Sequence, residues 1–347
     1  MNRPLLKSRK PTNIVIFRAL QLGDMLCAVP ALRALRGACP QARITLVGLP
    51  WAQAFASRYP RYMDDFVSFP GFPGLPERVP DIAAFPSFLA EMQSRRFDLA
   101  IQMHGDGRLS NAIVALFDAE FQAGFGAASA TASASLLPFP QEGHEIRRLL
   151  ALAEFLGAPP LGDELEFPLT AEDERELVGS GLVEGLTSSG YICLHPGARA
   201  PEKCWPPERF AAVGDALHEL TGLPLVLTGS CAETGLTAAV RRALHSPSID
   251  AASPISAGGL AALLSRARLL VTNDTGVAHI AAGLRLPSVI VFRASELARW
   301  APLDGALHRT VWAPAGSAAD DGLSDVLAHA RELLAQRGAI RSTAPAS

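Results

Sequence analysis

Short, almost uninterrupted apolar runs recur along this chain: NIVIF (13–17), RITLVG (43–48), DLAIQM (98–103), YICLH (191–195), LPLVLTG (223–229), RLLVTN (268–273) and PSVIVF (287–292). Each is rich in Val, Ile and Leu. A strand with one wet face alternates apolar and polar residues, and these runs do not. They read as strands buried on both faces, the condition of a parallel sheet covered by helices. Parallel neighbours need a long crossover, and helical patterns fill the gaps. Met25, Val29, Leu32 and Leu35 recur at helical spacing, with Pro30 inside the pattern, which predicts a kink or a late helix start. HEIRRLLALAEFLG (144–157) ends at Gly157 ahead of Pro159 and Pro160. PPERFAAVGDALHELTG (206–222) has prolines at its start and Gly222 at its end.

Strands alternating with helices predict doubly wound α/β sheets. The alternation breaks in GAPPLGDELEFPLT (157–170) and then restarts, and 347 residues suit two domains. With 49% hydrophobic and 19% charged residues, each can bury a full core. The expected division is 1–165 and 166–322, followed by a helix over 323–338 and a disordered tail, 339–347. The stretch from Val67 to Pro86, dense in Pro, Phe and Gly, reads as a long surface loop of the first domain.

A net charge of -3 gives no field that would favour nucleic acid. The segment MNRPLLKSRKP is basic, but the apolar stretch after it is interrupted by Arg18 and is too short for a signal-peptide core. No run of ~18 apolar residues exists to span a membrane. A cytoplasmic protein is expected, whose basic tip reads first as a disordered tail and second as a contact for an anionic membrane surface. Five cysteines, odd in number and without a CxxC pair, suggest neither a disulfide framework nor a zinc site, but small core residues.

In open α/β sheets ligands bind beyond the carboxyl ends of the strands. After 13–17 comes RALQLGD, ending in Gly23 and Asp24. After 98–103 comes His104. After 191–195 comes PGARAPEKCWP, with Arg199, Lys203 and Trp205. After 223–228 comes GSCAE, with Ser230 and Glu233, and after 268–272 comes NDTGVAH. The last stretch opens a small, apolar helix with Asn273, Asp274, Thr275 and Gly276, and sets His279 one turn in. Capping needs only one of these polar residues. A helix N-terminus with unpaired N–H groups is an anion site, Gly276 lets a phosphate approach, Thr275 adds a donor and Lys203 a full charge. Alone, DTG is more often a cap, and His279 more often a core histidine. Asp24 is an N-cap or a carboxylate able to take a hydroxyl proton. Glu233 is a first-turn acid or a ribose ligand. No GxGxxG opens a helix after a strand, GSCAETG lacks the Lys-Ser/Thr of a phosphate-binding Walker loop, and neither HExxH nor GxSxG occurs.

With these residues in hand the chain resembles glycosyltransferase family 9, the ADP-heptose:lipopolysaccharide heptosyltransferases. The likeness rests on NIVIFRALQLGDMLCAVPALRALR, HPGARAPEKCWPPERFAAV, VLTGSCAE and VTNDTGVAHIAAGLRLPSVIVF, in the family's order and across nearly the whole chain. It implies a GT-B fold: two Rossmann-like domains with an interdomain active-site cleft. The first would bind the acceptor and the second the nucleotide-sugar donor, and the helix at 323–338 would cross back onto the first. It implies an inverting, metal-independent transferase, without cofactor, that moves heptose from ADP-heptose to a lipopolysaccharide core or related surface glycan. The work would be done in the cytoplasm, with peripheral contact at the inner membrane surface.

By motif, Asp24 matches the general base and Lys203 the residue that stabilises the leaving diphosphate. Thr275, Gly276 and Val277 match the diphosphate cradle, Asp274 a residue near the donor sugar and His279 the motif histidine. Arg199, Ser230 and Glu233 fall on the donor side, Gly23 and His104 on the acceptor side. The chain departs from the family in ALQLGD, which lacks the usual Ser, in MHGDGRLSN (103–111), and in the loop 67–86. All three lie in the acceptor half, so the acceptor is left open. Two other readings remain: a nucleotide-sugar enzyme of different chemistry on the same fold, such as an epimerase, and a non-catalytic sugar-nucleotide-binding protein.

Overall fold

A computed structural model describes residues 4–127, 135–182, 184, 186, 190–252, 255–316 and 321–342, with side chains described as far as 336. The chain divides into two compact units, Met1–Leu165 and Glu166–Ser347.

The first unit holds β1 (Asn13–Phe17), β2 (Arg43–Gly48), β3 (Asp65–Ser68), β4 (Leu99–Gln102), β5 (Phe121–Gly126) and β6 (Leu136–Pro138). They form one parallel sheet in the order β3-β2-β1-β4-β5-β6. Its helices are α1 (Leu5–Ser8), α2 (Leu22–Ala38), α3 (Ala52–Arg58), α4 (Phe85–Ser94), α5 (Ser110–Ala115) and α6 (Glu145–Leu156). β1 is central: Val15 pairs with Thr45 on one side and Ala100 on the other, and residues 14–17 are buried. This is the burial that the run NIVIF encodes.

The second unit repeats the plan. β7 (Ile192–His195), β8 (Leu225–Gly229), β9 (Ser248–Ala252), β10 (Leu269–Asn273), β11 (Ser288–Phe292) and β12 (His308–Trp312) lie parallel in the order β12-β11-β10-β7-β8-β9. Counted from its own first strand this is the same order as in the first unit, the doubly wound arrangement whose crevice opens between the first and fourth strands. Its helices are α7 (Ala171–Gly179), α8 (Pro207–Thr221), α9 (Thr234–Ala243), α10 (Ala257–Ser265), α11 (Gly276–Gly283), α12 (Leu297–Trp300) and α13 (Leu323–Ser342), with short 3-10 turns at Pro201–Lys203 and Cys231–Glu233.

Several local expectations change. α2 starts at Leu22, not late, and carries Pro30 inside. The proline forfeits a bond to the Leu26 carbonyl, and burial of Met25 through Leu32 outweighs that loss. α6 ends at Gly157, φ 105, as its sequence suggests, and its start is capped by His144, which accepts from the Ile146 N–H at 3.1 Å. α13 continues past 338 to Ser342, and the rest of the expected disordered tail, 343–347, lies outside the described residues, as do residues 1–3 of the basic tip. Within its own unit α13 packs on the second core. Val326, Ala330, Leu333 and Leu334 are buried in the second core, beside α8, β10, β11 and β12. Three cysteines are core residues as expected, but Cys204 is half-buried and Cys231 exposed.

Candidate active site

In the second unit the turn from β10 into α11 brings Asn273, Asp274 and Thr275 together. Asn273 is fully buried. Its Nδ2 donates to the Pro196 carbonyl at 2.7 Å, and its Oδ1 accepts from the Trp205 N–H at 3.0 Å. Asn273 therefore ties the end of β10 to both ends of the loop that follows β7. Trp205 itself is a core residue, edge-to-face with Phe210, its indole donating to the Asp321 carbonyl at 2.8 Å. Asp274 is 5% exposed, and its Oδ2 lies 3.0 Å from Lys203 Nζ. Thr275 is the N-cap of α11, in extended backbone, and its side chain makes no cap hydrogen bond. None of the three polar residues thus spends its side chain on capping. The opening N–H groups of α11, which no earlier turn can accept, are left without a side-chain cap beside a lysine. Gly276 and Val277 form that first turn. His279 is buried and meets Trp300 edge-to-face, ring centroids 6.3 Å apart.

A second cluster forms where β8 ends. Glu233 Oε2 accepts from the Ser230 N–H at 2.7 Å and from its hydroxyl at 2.8 Å. The other oxygen, Oε1, stands over Gly197: a Cβ at that glycine would sit 2.1 Å from it. A glycine after His195-Pro196 is what admits the carboxylate. His195 lies beneath, 3.1 Å from the Thr228 hydroxyl, and its burial holds the imidazole well below its ordinary range. Arg199 is exposed on the loop that joins the two clusters.

In the first unit, Gly23 and Asp24 lie in the first turn of α2, whose N-cap is Gln21, so Asp24 is not the cap. Its side chain is half-buried. The carbonyl of Asp24 is held by Arg18, the residue directly after β1, through Nε at 3.2 Å and a terminal nitrogen at 2.8 Å. The other terminal nitrogen of Arg18 donates to the Met103 carbonyl, at the end of β4. Arg18 is 2% exposed and ion-pairs with Glu145, at 3.2 Å, which in turn pairs with Arg148 at 2.7 Å.

His104 follows β4. Its Nδ1 accepts from the Ala19 N–H at 3.2 Å and its ring stacks on Phe17. Burial first, and then the Arg18 charge, push its pKa down to about 4, so the imidazole is neutral at pH 7. Its Nε2 faces Glu77 Oε1 at 3.7 Å. Glu77 belongs to the stretch that reads as a surface loop. There β3 takes the first residues, Phe72 and Leu75 pack on the core, and Val79 (87% exposed) and Ile82 (70%) form an open apolar tip.

The structure thus gathers Lys203 with Asp274, Thr275 and Gly276, and Ser230 with Glu233. It leaves Arg199 exposed and sets His279 against Trp300. Sequence reasoning missed Asn273 as a tie, Gly197, Arg18 with Glu145 and Arg148, and Glu77. Arg18 had a signal: a charged residue directly after a fully apolar central strand. Glu77 had none within its loop.

The sequence profile of glycosyltransferase family 9 (heptosyltransferase) matches residues 87–322. Lipopolysaccharide heptosyltransferase 3 of Escherichia coli is 26% identical over 296 residues, 81% of this chain and 83% of that protein. Among solved structures, the family 9 glycosyl transferase from Veillonella parvula DSM 2008 superposes with a TM-score of 0.79 at 22% identity, covering 94% of this chain and 98% of that one. The E. coli ADP-heptose lps heptosyltransferase II gives 0.73 at 21%, covering 94% and 99%. These likenesses extend to the fold, which is GT-B.

Proposed function

Because this chain belongs to glycosyltransferase family 9, the heptosyltransferases, and is a glycosyltransferase, we propose that it is an inverting, metal-independent enzyme that moves heptose from ADP-heptose to a lipopolysaccharide-core acceptor. The observation that carries this reading is the pairing of Lys203 with Asp274 beside the uncapped start of α11. A lysine 33% exposed, next to free helix N–H groups, supplies both a mobile charge and fixed donors to a diphosphate.

In the reaction, the acceptor oxygen forms a bond to the anomeric carbon as the bond from that carbon to the diphosphate oxygen breaks. The bonding pair leaves on ADP, and the acceptor's proton goes to Asp24. Inversion follows from the single displacement. Lys203 and the N–H groups of Gly276 and Val277, with the Thr275 hydroxyl, hold the charge that develops on the leaving diphosphate. Stabilisation of such charge by preorganised donors is a large catalytic term. Asp274, freed from Lys203, turns to the sugar hydroxyls. Glu233, with one oxygen anchored by Ser230, offers the other to the ribose. Arg199 is a donor-side charge, His279 braces α11 against Trp300, and Gly23 and His104 shape the acceptor side.

Among the described residues no helix is long and apolar enough to cross a membrane. The work is proposed for the cytoplasm, where Lys7 and Lys10 would meet the inner membrane surface that carries a glycolipid acceptor. The test is ADP release from ADP-heptose against a panel of truncated lipopolysaccharide cores, with and without EDTA. Release that needs an acceptor and survives EDTA is the expected result. Isomerisation of the donor sugar without acceptor would favour the epimerase reading instead. Binding without turnover on any core would leave a sugar-nucleotide-binding protein.

A further inference from the structure

The first unit carries a buried ion cluster that the reaction does not use directly. Arg18, Glu145 and Arg148 are 2%, 4% and 4% exposed. Arg148 is held by the Gln141 carbonyl at 3.2 Å and lies over the Phe139 ring. Replacing a buried ion triad by apolar residues is often neutral or stabilising, so stability is weak grounds for having one. Its geometry gives a better reason. Arg18 projects from the end of β1 and binds two main-chain carbonyls, of Asp24 at the start of α2 and of Met103 at the end of β4. Those are the two strand ends that flank the crevice of this sheet. Glu145, from the first turn of α6, fixes the guanidinium from a third direction.

We propose that Arg18 is a positioning residue for Asp24, with the Glu145–Arg148 pair as its anchor. A guanidinium spreads its donors across a rigid plane, so that one side chain can hold two carbonyls and a carboxylate at once, which an ammonium on a flexible stem cannot do. The Asp24 carboxylate then stands at a fixed place relative to the acceptor, although Arg18 touches neither the acceptor nor the carboxylate's reacting oxygens. Arg18 also lies near His104, whose ring accepts from Ala19, the next residue along, so both walls of the acceptor side are set by the same turn. This inference rests on the reading of Asp24 as the base.

Two variants separate positioning from mere packing. Arg18→Lys keeps the charge for Glu145 but loses the simultaneous grip on both carbonyls. Glu145→Gln keeps a hydrogen-bonding partner of the same shape but leaves Arg18 and Arg148 without a counter-charge. The expected result is a crossing of rank orders. Arg18→Lys lowers kcat about 30-fold, as an ångström-scale misplacement does, with ADP affinity within twofold and a thermal midpoint about 5 °C down. Glu145→Gln lowers the midpoint further, about 10 °C, and kcat less than fivefold. Kinetics are run at 15 °C with ADP-heptose and the core acceptor that gives the fastest ADP release, so that both variants stay folded. Activity that falls in step with the thermal midpoint across the two variants overturns the proposal, as does a folded Arg18→Lys enzyme with wild-type kcat. Asp24→Asn is measured alongside. If it turns over normally, the base reading falls and positioning with it. If it is inactive while Arg18→Lys is not impaired, only positioning falls.

Discussion

Arg18, directly after β1, is 2% exposed and grips Asp24, Met103 and Glu145, whereas Lys203, in the loop after β7, keeps a third of its side chain in the open and pairs with Asp274. The two units share one strand order, and each sets a cation near the end of its first strand. In the first unit the cation is part of the frame, and in the second it is available to a ligand. The difference follows from the chemistry proposed for each. A base must stand still, so its backbone is bound from behind. A residue that meets a diphosphate must change partners, so it is held by one carboxylate at the rim.

The sharpest break of this comparison is at Asp24. Asp24→Asn should lower kcat by about 10³-fold, within the range for a lost general base, with ADP affinity within twofold by calorimetry. A loss of ADP affinity as large as the loss of kcat would put Asp24 on the donor side instead. Next, Lys203→Met should lower kcat about 100-fold and also weaken ADP binding, since its charge is proposed to serve the bound diphosphate and the departing one. A Lys203→Met enzyme with unaltered ADP affinity and kcat would leave the lysine a partner of Asp274 and nothing more.

The two halves also differed in how far the sequence could be read. The near-continuous runs at β1, β2, β4, β7, β8, β10 and β11 mark strands buried on both faces. β3, β6, β9 and β12 sit at or beside sheet edges, and their short, half-exposed sequences carry no such run. β5 is hidden by its glycines: Gly124 has φ +150, and a Cβ there would lie 2.4 Å from the Gln102 carbonyl. In the second unit the polar residues follow their strand ends, and their pairings run between adjacent loops, so each motif already contains the residues that pair. In the first unit, Arg18 meets Glu145 across 127 positions, and Glu77 reaches His104 from a loop whose composition is dominated by Pro, Phe and Gly. Contacts of that range have no local pattern to betray them.

A smaller effect probes the second unit alone. Gly197→Ala introduces a Cβ that would collide with the Glu233 carboxylate, which Ser230 holds in place by two hydrogen bonds. The carboxylate must swing away or the loop must shift. ADP affinity should fall about tenfold, the loss of one charge-assisted hydrogen bond, with kcat at saturating donor changed less than threefold. Glu233→Gln should reproduce the affinity loss, and adding it to Gly197→Ala should cause little further loss. Fully additive losses would mean that the glycine and the carboxylate act independently.

The last difference vanishes at neutral pH and grows in acid. Burial pushes His104 in the first unit down to about 4, and does the same to His308 in the second, beside Asp304 and Arg285, while His195 is also held low. Each is neutral in the folded state and protonated in the unfolded chain below about 6.5, so the unfolded chain binds the extra proton. Their contribution to stability is therefore present above about pH 6.5 and drains away as the pH falls toward 4. The depressed carboxylates, Asp65 and Asp98 in the first unit and Asp215 at about 2 in the second, titrate below that window and hold their contribution through it. With two such histidines against one, the second unit should lose protection faster between pH 6.5 and 4. Hydrogen exchange followed by mass spectrometry, corrected for the intrinsic pH dependence of exchange, reads β7, β10 and β11 separately from β1 and β4. His308→Asn, which keeps a partner for the Ser288 hydroxyl now 2.8 Å from the ring, should flatten the second unit's slope toward that of the first. If the slope of the second unit is unchanged in that variant, its acid sensitivity comes from groups other than the buried histidines.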